Sequence, residues 1–380
     1  MSTHRGVAIT AIGSLKVLNL PTPEPGPDEV LIHVHYAALI PFDGYQLDKG
    51  YALSADDLPR VVGFASAGLV KAVGTNVKDL REGDRVAAFN MPASKNKAAQ
   101  EYTVVPRFLV AKVPESVPLH IAASMPDNYI TAMYTVFGGP GLTLPVPPSL
   151  VPASSIPDRP AVDLTAPVLV YGAGSSSGQY LLQALRLAGF GNILAVASAH
   201  HHEHLRSLGA TRCFDYRSTD IVAQLRAAAA STAHGRIPIA VDPIATRRSL
   251  ALLSEVLASP PAAAPPARLA VLLPYKDGET VSNDVGSAMH TAPPPWFDEV
   301  FGGKNIEVIP IATFKSGEDP FTRENVLPVI LPRLLEKGDI RPNRVRLIDQ
   351  GDLLERVNEG LDLLRNNRVS GEKVVVDIRV

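Results

Sequence analysis

Cysteine is almost absent: one thiol, Cys213, in 380 residues. One thiol forms no internal disulfide and excludes any multi-cysteine zinc site. Charge of one sign is missing too. Lys and Arg number 36 against 38 Asp and Glu, a net charge of −2. Such a balance exerts no long-range pull on nucleic acid or an anionic membrane, so small-molecule chemistry is the better expectation. Long apolar runs are also lacking, and no window approaches the roughly 20 uncharged apolar residues of a membrane helix. The opening Met1-Ser2-Thr3-His4-Arg5-Gly6 has no apolar run behind its basic residues, and the closing Asp377-Ile378-Arg379-Val380 carries no retention or prenylation motif. A cytoplasmic protein with neither membrane nor nucleic-acid partners is expected.

What the chain does have is enough apolar material for two or three separate cores, at 46% hydrophobic over its full length. From Val7 to Val113 the reading is β. Val30-Leu31-Ile32-His33-Val34-His35-Tyr36 alternates as a half-buried strand does, and Gly63 to Val77 and Asp84 to Phe89 are short runs broken by turns. A compact barrel-like β domain is predicted. Helical spacing begins near Leu119 and recurs from Tyr129 to Phe137. The stretch from Gly138 to Pro167 is too proline-dense for a helix or central strand and reads as a surface loop.

Strand–helix alternation follows. Val168 to Tyr171 is a strand, Gly172 to Gly178 a Gly/Ser turn, Gln179 to Ala188 a helix and Asn192 to Ala197 the next strand. Further strands are predicted over Thr211 to Asp215, Ile237 to Asp242 and Arg268 to Leu273. Helices fall over Glu203 to Leu208, Ile221 to Ala230 and Arg247 to Leu257, and Ser259 to Pro266 reads as a loop. This pattern makes an open parallel sheet covered on both faces. The tail holds helices over Val326 to Lys337 and Leu353 to Asn366, then a strand from Lys373 to Val380 whose natural host is the opening β domain.

The glycine turn carries the chemistry. Gly172, Gly174 and Gly178 let backbone approach a pyrophosphate, Ser175, Ser176 and Ser177 add hydroxyl donors, and a helix N-terminus attracts the negative charge. The second strand ends Ala197-Ser198-Ala199-His200-His201-His202, with no carboxylate for a ribose 2′-hydroxyl. Ser198 can donate a hydrogen bond and His201 partial positive charge, which favours NADP(H) over NAD(H). A metal site is the rival reading of the histidine run, but no matching ligand cluster accompanies it.

The stretch Val170-Tyr171-Gly172-Ala173-Gly174-Ser175-Ser176-Ser177-Gly178-Gln179-Tyr180 resembles the cofactor loop of fungal medium-chain dehydrogenase/reductases, the zinc-free quinone-oxidoreductase-like and trans-acting enoyl reductases that accompany polyketide synthases. Leu205 to Ala210 with Phe214 to Arg217, Pro59 to Val70, and Ser370 to Val376 resemble the same group, in the expected order over nearly the whole chain. The resemblance implies an α/β protein: a GroES-like β-barrel catalytic domain from 1–126 and 316–380, and a Rossmann doubly wound parallel sheet over 127–315, with the active site in the cleft. It implies that Ser198 and Tyr216 lie near the 2′-phosphate and that Thr131 faces the nicotinamide; ordinary packing at a helix start is the other reading of Thr131.

Zinc-dependent relatives hold metal at positions matching Ile40, Phe64 and Asp127 here, and one carboxylate alone cannot hold catalytic zinc. Metal-free hydride addition to an activated C=C bond is therefore favoured over Lewis-acid alcohol oxidation. Relatives often carry Asn-Pro-x-Asp-x-Lys at the catalytic turn; here Ile40 replaces the asparagine and Tyr45 the lysine. Tyr45 and Tyr129 are candidate proton donors, and Asp43 reads as a structural hydrogen-bonding residue. Phe64, Ile40, Phe42 and Asn128 are the expected substrate-pocket residues. The expected acceptor is a free or carrier-bound enone or enoyl thioester, with a polyketide synthase as partner. Reduction of a quinone or aldehyde, and non-catalytic NADPH binding, are the alternatives. Monomer and homodimer both stay open.

Overall fold

In the computed structural model, residues 2–258, 265–278 and 288–379 are described. They form two compact units: residues 2–129 with 323–379, and the described residues of 130–322. The first unit opens with an antiparallel hairpin of β1 (Thr3–Ala11) and β2 (Ser14–Pro21). Then come β3 (Glu29–Leu39), α1 (Pro41–Lys49), β4 (Arg60–Val61), β5 (Ala65–Val73), β6 (Arg85–Phe89), β7 (Tyr102–Pro106) and β8 (Val110–Lys112). In β3 the alternation puts Val30, Ile32 and Val34 in the core while His33 and His35 stay half-exposed. The helix α1 lies in a stretch read as strand and turn; Pro41 at its first position and Gly50 after its end, at φ +63°, are what start and stop it. After the short α2 (Leu119–Ala122), α3 (Pro126–Phe137) carries the chain into the second unit.

Residues 138–167 form no strand and only one short 3₁₀ turn, as their proline content dictates. Backbone carbonyls at each end of α3's exit are held by Arg159, which donates to Phe137 O at 3.0 Å, and Arg268, which donates to Leu142 O at 2.7 Å. The parallel sheet follows: β9 (Val168–Tyr171), α4 (Ser176–Leu187), β10 (Ile193–Val196), α5 (His202–Ser207), β11 (Arg212–Phe214), α6 (Ile221–Ala230), β12 (Ile239–Asp242), α7 (Arg247–Leu257) and β13 (Ala267–Leu272). A small pair, β14 (Tyr275–Lys276) with β15 (Met289–His290), and α8 (Phe297–Phe301) precede the last strand, β16 (Ile306–Ile311). The order is β11-β10-β9-β12-β13-β16, all parallel. The order in which strands are added therefore reverses between β9 and β12, and ligands bind such sheets at the carboxyl edge of that switch point. Leu169, Leu194, Ala240 and Leu269 fill the core with Leu225, Leu250 and Leu253 from the helices. Of the loop expected over Ser259 to Pro266, residues 259–264 lie outside the described residues.

The tail returns to the first unit. One helix was expected over Val326 to Lys337; instead Thr322–Ile330 winds as π-helix before α9 (Leu331–Lys337). Pro328 has no N–H to donate and its ring crowds the preceding turn, which the wider winding relieves. Then follow β17 (Arg344–Ile348), α10 (Leu353–Arg365) and β18 (Glu372–Asp377). A capping box starts α10, with Asp352 accepting from Glu355 N and Glu355 accepting from Asp352 N. Strand β18 slots between β17, parallel, and β3, antiparallel, completing the sheet β17-β18-β3-β5-β6-β8 with β7 also on β3. Val374 and Val376 join Val30, Ile32, Val357 and Leu361 in one core. Val380, at the end of the expected last strand, is outside the described residues.

Candidate active site

Strand β9 ends at Tyr171, and Gly172 turns the chain at φ +68°. A Cβ there would meet Ile244 Cγ1 at 2.3 Å, so the turn admits only glycine. Ser175 caps α4: its Oγ accepts from Gly178 N at 3.0 Å, leaving its O–H able to donate elsewhere. Gly178 lies against the turn itself, where a Cβ would come within 2.4 Å of Gly172 O. Gln179 braces the loop by donating to Gly174 O at 3.0 Å. Ser176 and Ser177 occupy the first turn of α4, half-buried. The cradle thus has a bare backbone, hydroxyls and the positive end of a twelve-residue helix, which is what a diphosphate needs.

At the end of β10 Ser198 is half-buried, and Arg217 Nη2 donates to its Oγ at 3.4 Å. The Arg217 guanidinium also lies 5.2 Å from the centre of the Tyr216 ring. His201 is buried, with its ring 3.9 Å from that of His200, and its Cδ2 lies 3.0 Å from where a Gly174 Cβ would stand. Its ring therefore backs the glycine turn. A carboxylate does reach this corner from the third strand: Asp215 accepts from Arg217 N at 2.9 Å and Ala199 N at 3.3 Å. Those hydrogen bonds, Arg217 first, hold its carboxyl below the ordinary value.

In the first unit, the turn of Ile40 to Tyr45 is built around Asp43, which is fully buried. Its Oδ1 accepts from Gly63 N at 2.7 Å and its Oδ2 from Ile40 N at 2.9 Å. Burial pushes this carboxyl upward, opposed by Lys97 and the two amides. Asp43 is thus a brace, tying Ile40 and Phe64's neighbour Gly63 together. Phe42 and Ile40 are half-buried, and the Phe42 ring stands 5.4 Å edge-on from the nearly buried Phe64. Tyr45 packs 6.5 Å from Phe42, and burial raises its phenol so that it stays protonated at neutral pH. Lys97 lies beneath this group, wholly buried, with Nζ 3.0 Å from the Phe64 ring centre and 3.7 Å from Met91 Sδ. Burial drives its amine well below the ordinary value, against the pull of Asp43.

Asp127, at the start of α3, pairs with Lys373 Nζ, and both side chains are almost fully buried. Asn128 accepts from the same Nζ at 2.8 Å. Tyr129, next along, is buried. Thr131 belongs to the second unit, in the body of α3 and nearly buried, and its carbonyl accepts from Thr135 Oγ1 at 2.7 Å. Among the described residues no group of three or more His, Cys, Asp or Glu could hold a metal ion. Three residues of this scene had no role in the sequence reading: Arg217, Lys97 and Lys373. Arg217 left a trace as the residue following Tyr216, and Lys373 as the first residue of the expected last strand.

The profile of the alcohol dehydrogenase GroES-like domain matches residues 26–115. Among curated proteins, the chain is 28% identical to the trans-enoyl reductase BOA5 of Botryotinia fuckeliana (strain B05.10), over 98% of this chain and 99% of that one. It is 31% identical to the trans-enoyl reductase tndF of Aspergillus flavipes, over 96% of this chain and 95% of that one. Among solved structures, it superposes on the CurK enoyl reductase with a TM-score of 0.71 at 18% identity, covering 98% and 99% of the two chains. The quinone oxidoreductase of Coxiella burnetii gives a TM-score of 0.69 at 20% identity with complete coverage of both. These structural likenesses establish the fold, a GroES-like domain with a parallel-sheet Rossmann-type domain. With its glycine turn, its strand order and a relative of 31% identity over nearly all of both chains, the protein belongs to the medium-chain dehydrogenase/reductase family, in its trans-enoyl reductase group.

Proposed function

We propose that the protein is an NADPH-dependent enoyl reductase that saturates the C=C bond of an α,β-unsaturated carbonyl, free or carried as a thioester, in fungal polyketide metabolism. The observation that carries the cofactor reading is the joined pair of anion sites on one sheet edge: the glycine turn before α4, and the Ser198–Arg217 pair beside it. The likeness to trans-enoyl reductases supports the reaction class. When bound, the nicotinamide supplies the hydride. The protein's own contribution is to hold the diphosphate at the α4 N-terminus, to match a 2′-phosphate with Arg217, and to keep the acceptor dry against Phe42 and Phe64. Tyr45 and Tyr129 remain our candidates for donating a hydrogen bond to the developing enolate oxygen, and Thr131 for the nicotinamide face.

Asp215 does not argue against the extra phosphate, because its charge is met by two amides and by Arg217. Removing that arginine tests the balance. R217A is expected to raise the Kd for NADPH by about 10- to 100-fold, the worth of a hydrogen bond to a charged group, with little change for NADH; titration by cofactor fluorescence measures both. Equal weakening of the two nucleotides would sink the assignment of Arg217.

Catalysis is read as metal-free because Ile40 and Phe64 offer no donor atoms and Asp127 is bound to Lys373. Turnover is therefore expected to survive overnight dialysis against EDTA unchanged; loss of activity restored by zinc would overturn this. The decisive experiment is an NADPH-oxidation screen with enones, enoyl thioesters and quinones, with product identification. A saturated Cα–Cβ bond supports the proposal, whereas hydroquinone or alcohol identifies the same fold used on another acceptor. Tight NADPH binding with no turnover on any class would mark a non-catalytic binder. A trans-acting role makes a synthase-borne carrier the expected source of substrate.

A further inference from the structure

The first unit holds an open cleft of about 480 Å³, in the size range of small-molecule sites, and the reaction described so far makes no use of it. The sheet supplies His35 of β3, Leu69 of β5 and Arg85 of β6, and α2 supplies Leu119 and His120. His35 sits at a bulge in β3. Val34 pairs with Gly68 and Tyr36 with the next residue, Ala67, so His35 has no partner on β5. An extra residue of this kind re-aims its side chain. The His35 carbonyl accepts from Ile378 N at 2.9 Å, which brings the following residue, Arg379, to the same cleft. There the Arg379 guanidinium lies 4.7 Å from the centre of the Tyr36 ring.

The basic groups of the cleft are only partly spent. Arg379 is committed to Asp377 and to the Tyr36 hydroxyl. Arg85 Nη2 donates to Val117 O at 2.6 Å, and its buried Nε faces Glu115 at 3.6 Å, too far for a hydrogen bond. Arg85 Nη1 bonds no described residue. The ring nitrogens of His35 and His120 bond none either; His120 only stands edge-on to Tyr36 at 5.7 Å. Glu115 is the one carboxylate lining the cleft, and its side chain is 89% exposed, where solvent screens it. His35 feels the resulting field. Burial, then His33, Arg379 and Arg85, hold its imidazole below the ordinary value, with Asp377 pulling the other way.

We propose that this cleft binds a phosphate monoester carried on a small apolar body, as a second anion site separate from the glycine turn. The donors decide for phosphate over carboxylate. A carboxylate is held best by two parallel donors of one guanidinium, and Arg85 has already spent Nη2 on Val117 O. Single donors from three elements, β3, β6 and α2, are what remain, and they suit an anion with three terminal oxygens. Leu69 and Leu119 offer apolar contact to the body of the ligand. Every lining residue belongs to the first unit, so the site does not depend on the enoyl-reduction reading.

The test uses the full chain, with phenyl phosphate, inorganic phosphate and benzoate as probes. NMR follows the ¹³Cε1 signal of His35 in the wild-type protein, identified by its loss in H35Q. A bound phosphate puts negative charge beside the ring and favours its protonated form. Saturating phenyl phosphate is therefore expected to raise the His35 titration midpoint by about one pH unit, and a midpoint unmoved by it overturns the proposal. Calorimetry gives the affinities. R85M is expected to weaken phenyl phosphate at least about tenfold, the worth of a hydrogen bond to a charged group, with circular dichroism checking the fold. Wild-type affinity in R85M overturns the site. E115Q, which removes the opposing charge at an exposed position, should bind as tightly or up to about twofold more tightly; weaker binding counts against an anion site. Inorganic phosphate should bind at least about threefold more weakly than phenyl phosphate, because it leaves Leu69 and Leu119 uncovered, and equal affinity would remove the apolar body from the proposal. Benzoate bound more tightly than phenyl phosphate overturns the choice of phosphate.

Discussion

Valine at position 174 is expected to weaken nicotinamide-dinucleotide binding by at least about 100-fold, roughly 2.7 kcal/mol, while leaving the protein folded. Gly174 does not need glycine for its backbone angles. The nearest atoms to a Cβ there would be His201 Cδ2 at 3.0 Å, Ala197 Cβ at 3.5 Å and His201 Cγ at 3.6 Å, all side-chain atoms. The added methyls would take the space between the glycine turn and the end of β10, where the proposed cofactor reading runs the diphosphate to its adenosine. Isothermal titration with NADPH and NADH, beside far-UV circular dichroism, separates lost binding from lost fold. The control is Gly191→Ala, at an exposed site where a Cβ meets nothing within 4 Å. Undiminished binding by G174V would show that the dinucleotide does not use this turn.

Replacing Lys373 with methionine is expected to destabilise the first unit by about 3–5 kcal/mol. Lys373 is 3% exposed, and its ammonium serves both Asp127 and Asn128. Methionine keeps the volume but leaves a carboxylate inside without its counter-charge, and that desolvation cost is what the measurement reads. Urea unfolding followed by near-UV signals reports the change. Adding D127L to K373M should recover most of the loss, since an apolar pair of matching volume is often as stable as a buried ion pair. Full stability of K373M alone would mean that the pair contributes little.

The same residues explain where reading the sequence stops. The glycine turn was legible because its geometry is local: strand, glycines, serines and helix follow one another in the chain. The parallel sheet was legible for the same reason, through repeated strand and helix periodicity. Asp43 read correctly as structural, since a carboxylate three residues after Ile40 commonly bonds back to the turn's own amides. The π-helical winding at 322–330 was missed because helical periodicity outweighs Pro328 in pattern, though not in geometry. Strand β16 went unread because Glu307 and Pro310 interrupt its apolar run.

The lysines were illegible for a deeper reason. Nothing near Lys97 or Lys373 in the sequence marks their side chains as buried, where surface lysines are the rule. Lys373 meets its partner across 246 residues, and Lys97 meets Phe64 only because β5 and the turn before β7 fold together. By itself the sequence determined the glycine–serine turn between strand and helix, the parallel sheet and the family, all of which rest on short-range order along the chain. Only the tertiary structure decided which charges are buried, because burial and the ionisation it forces depend on what distant segments bring to one place.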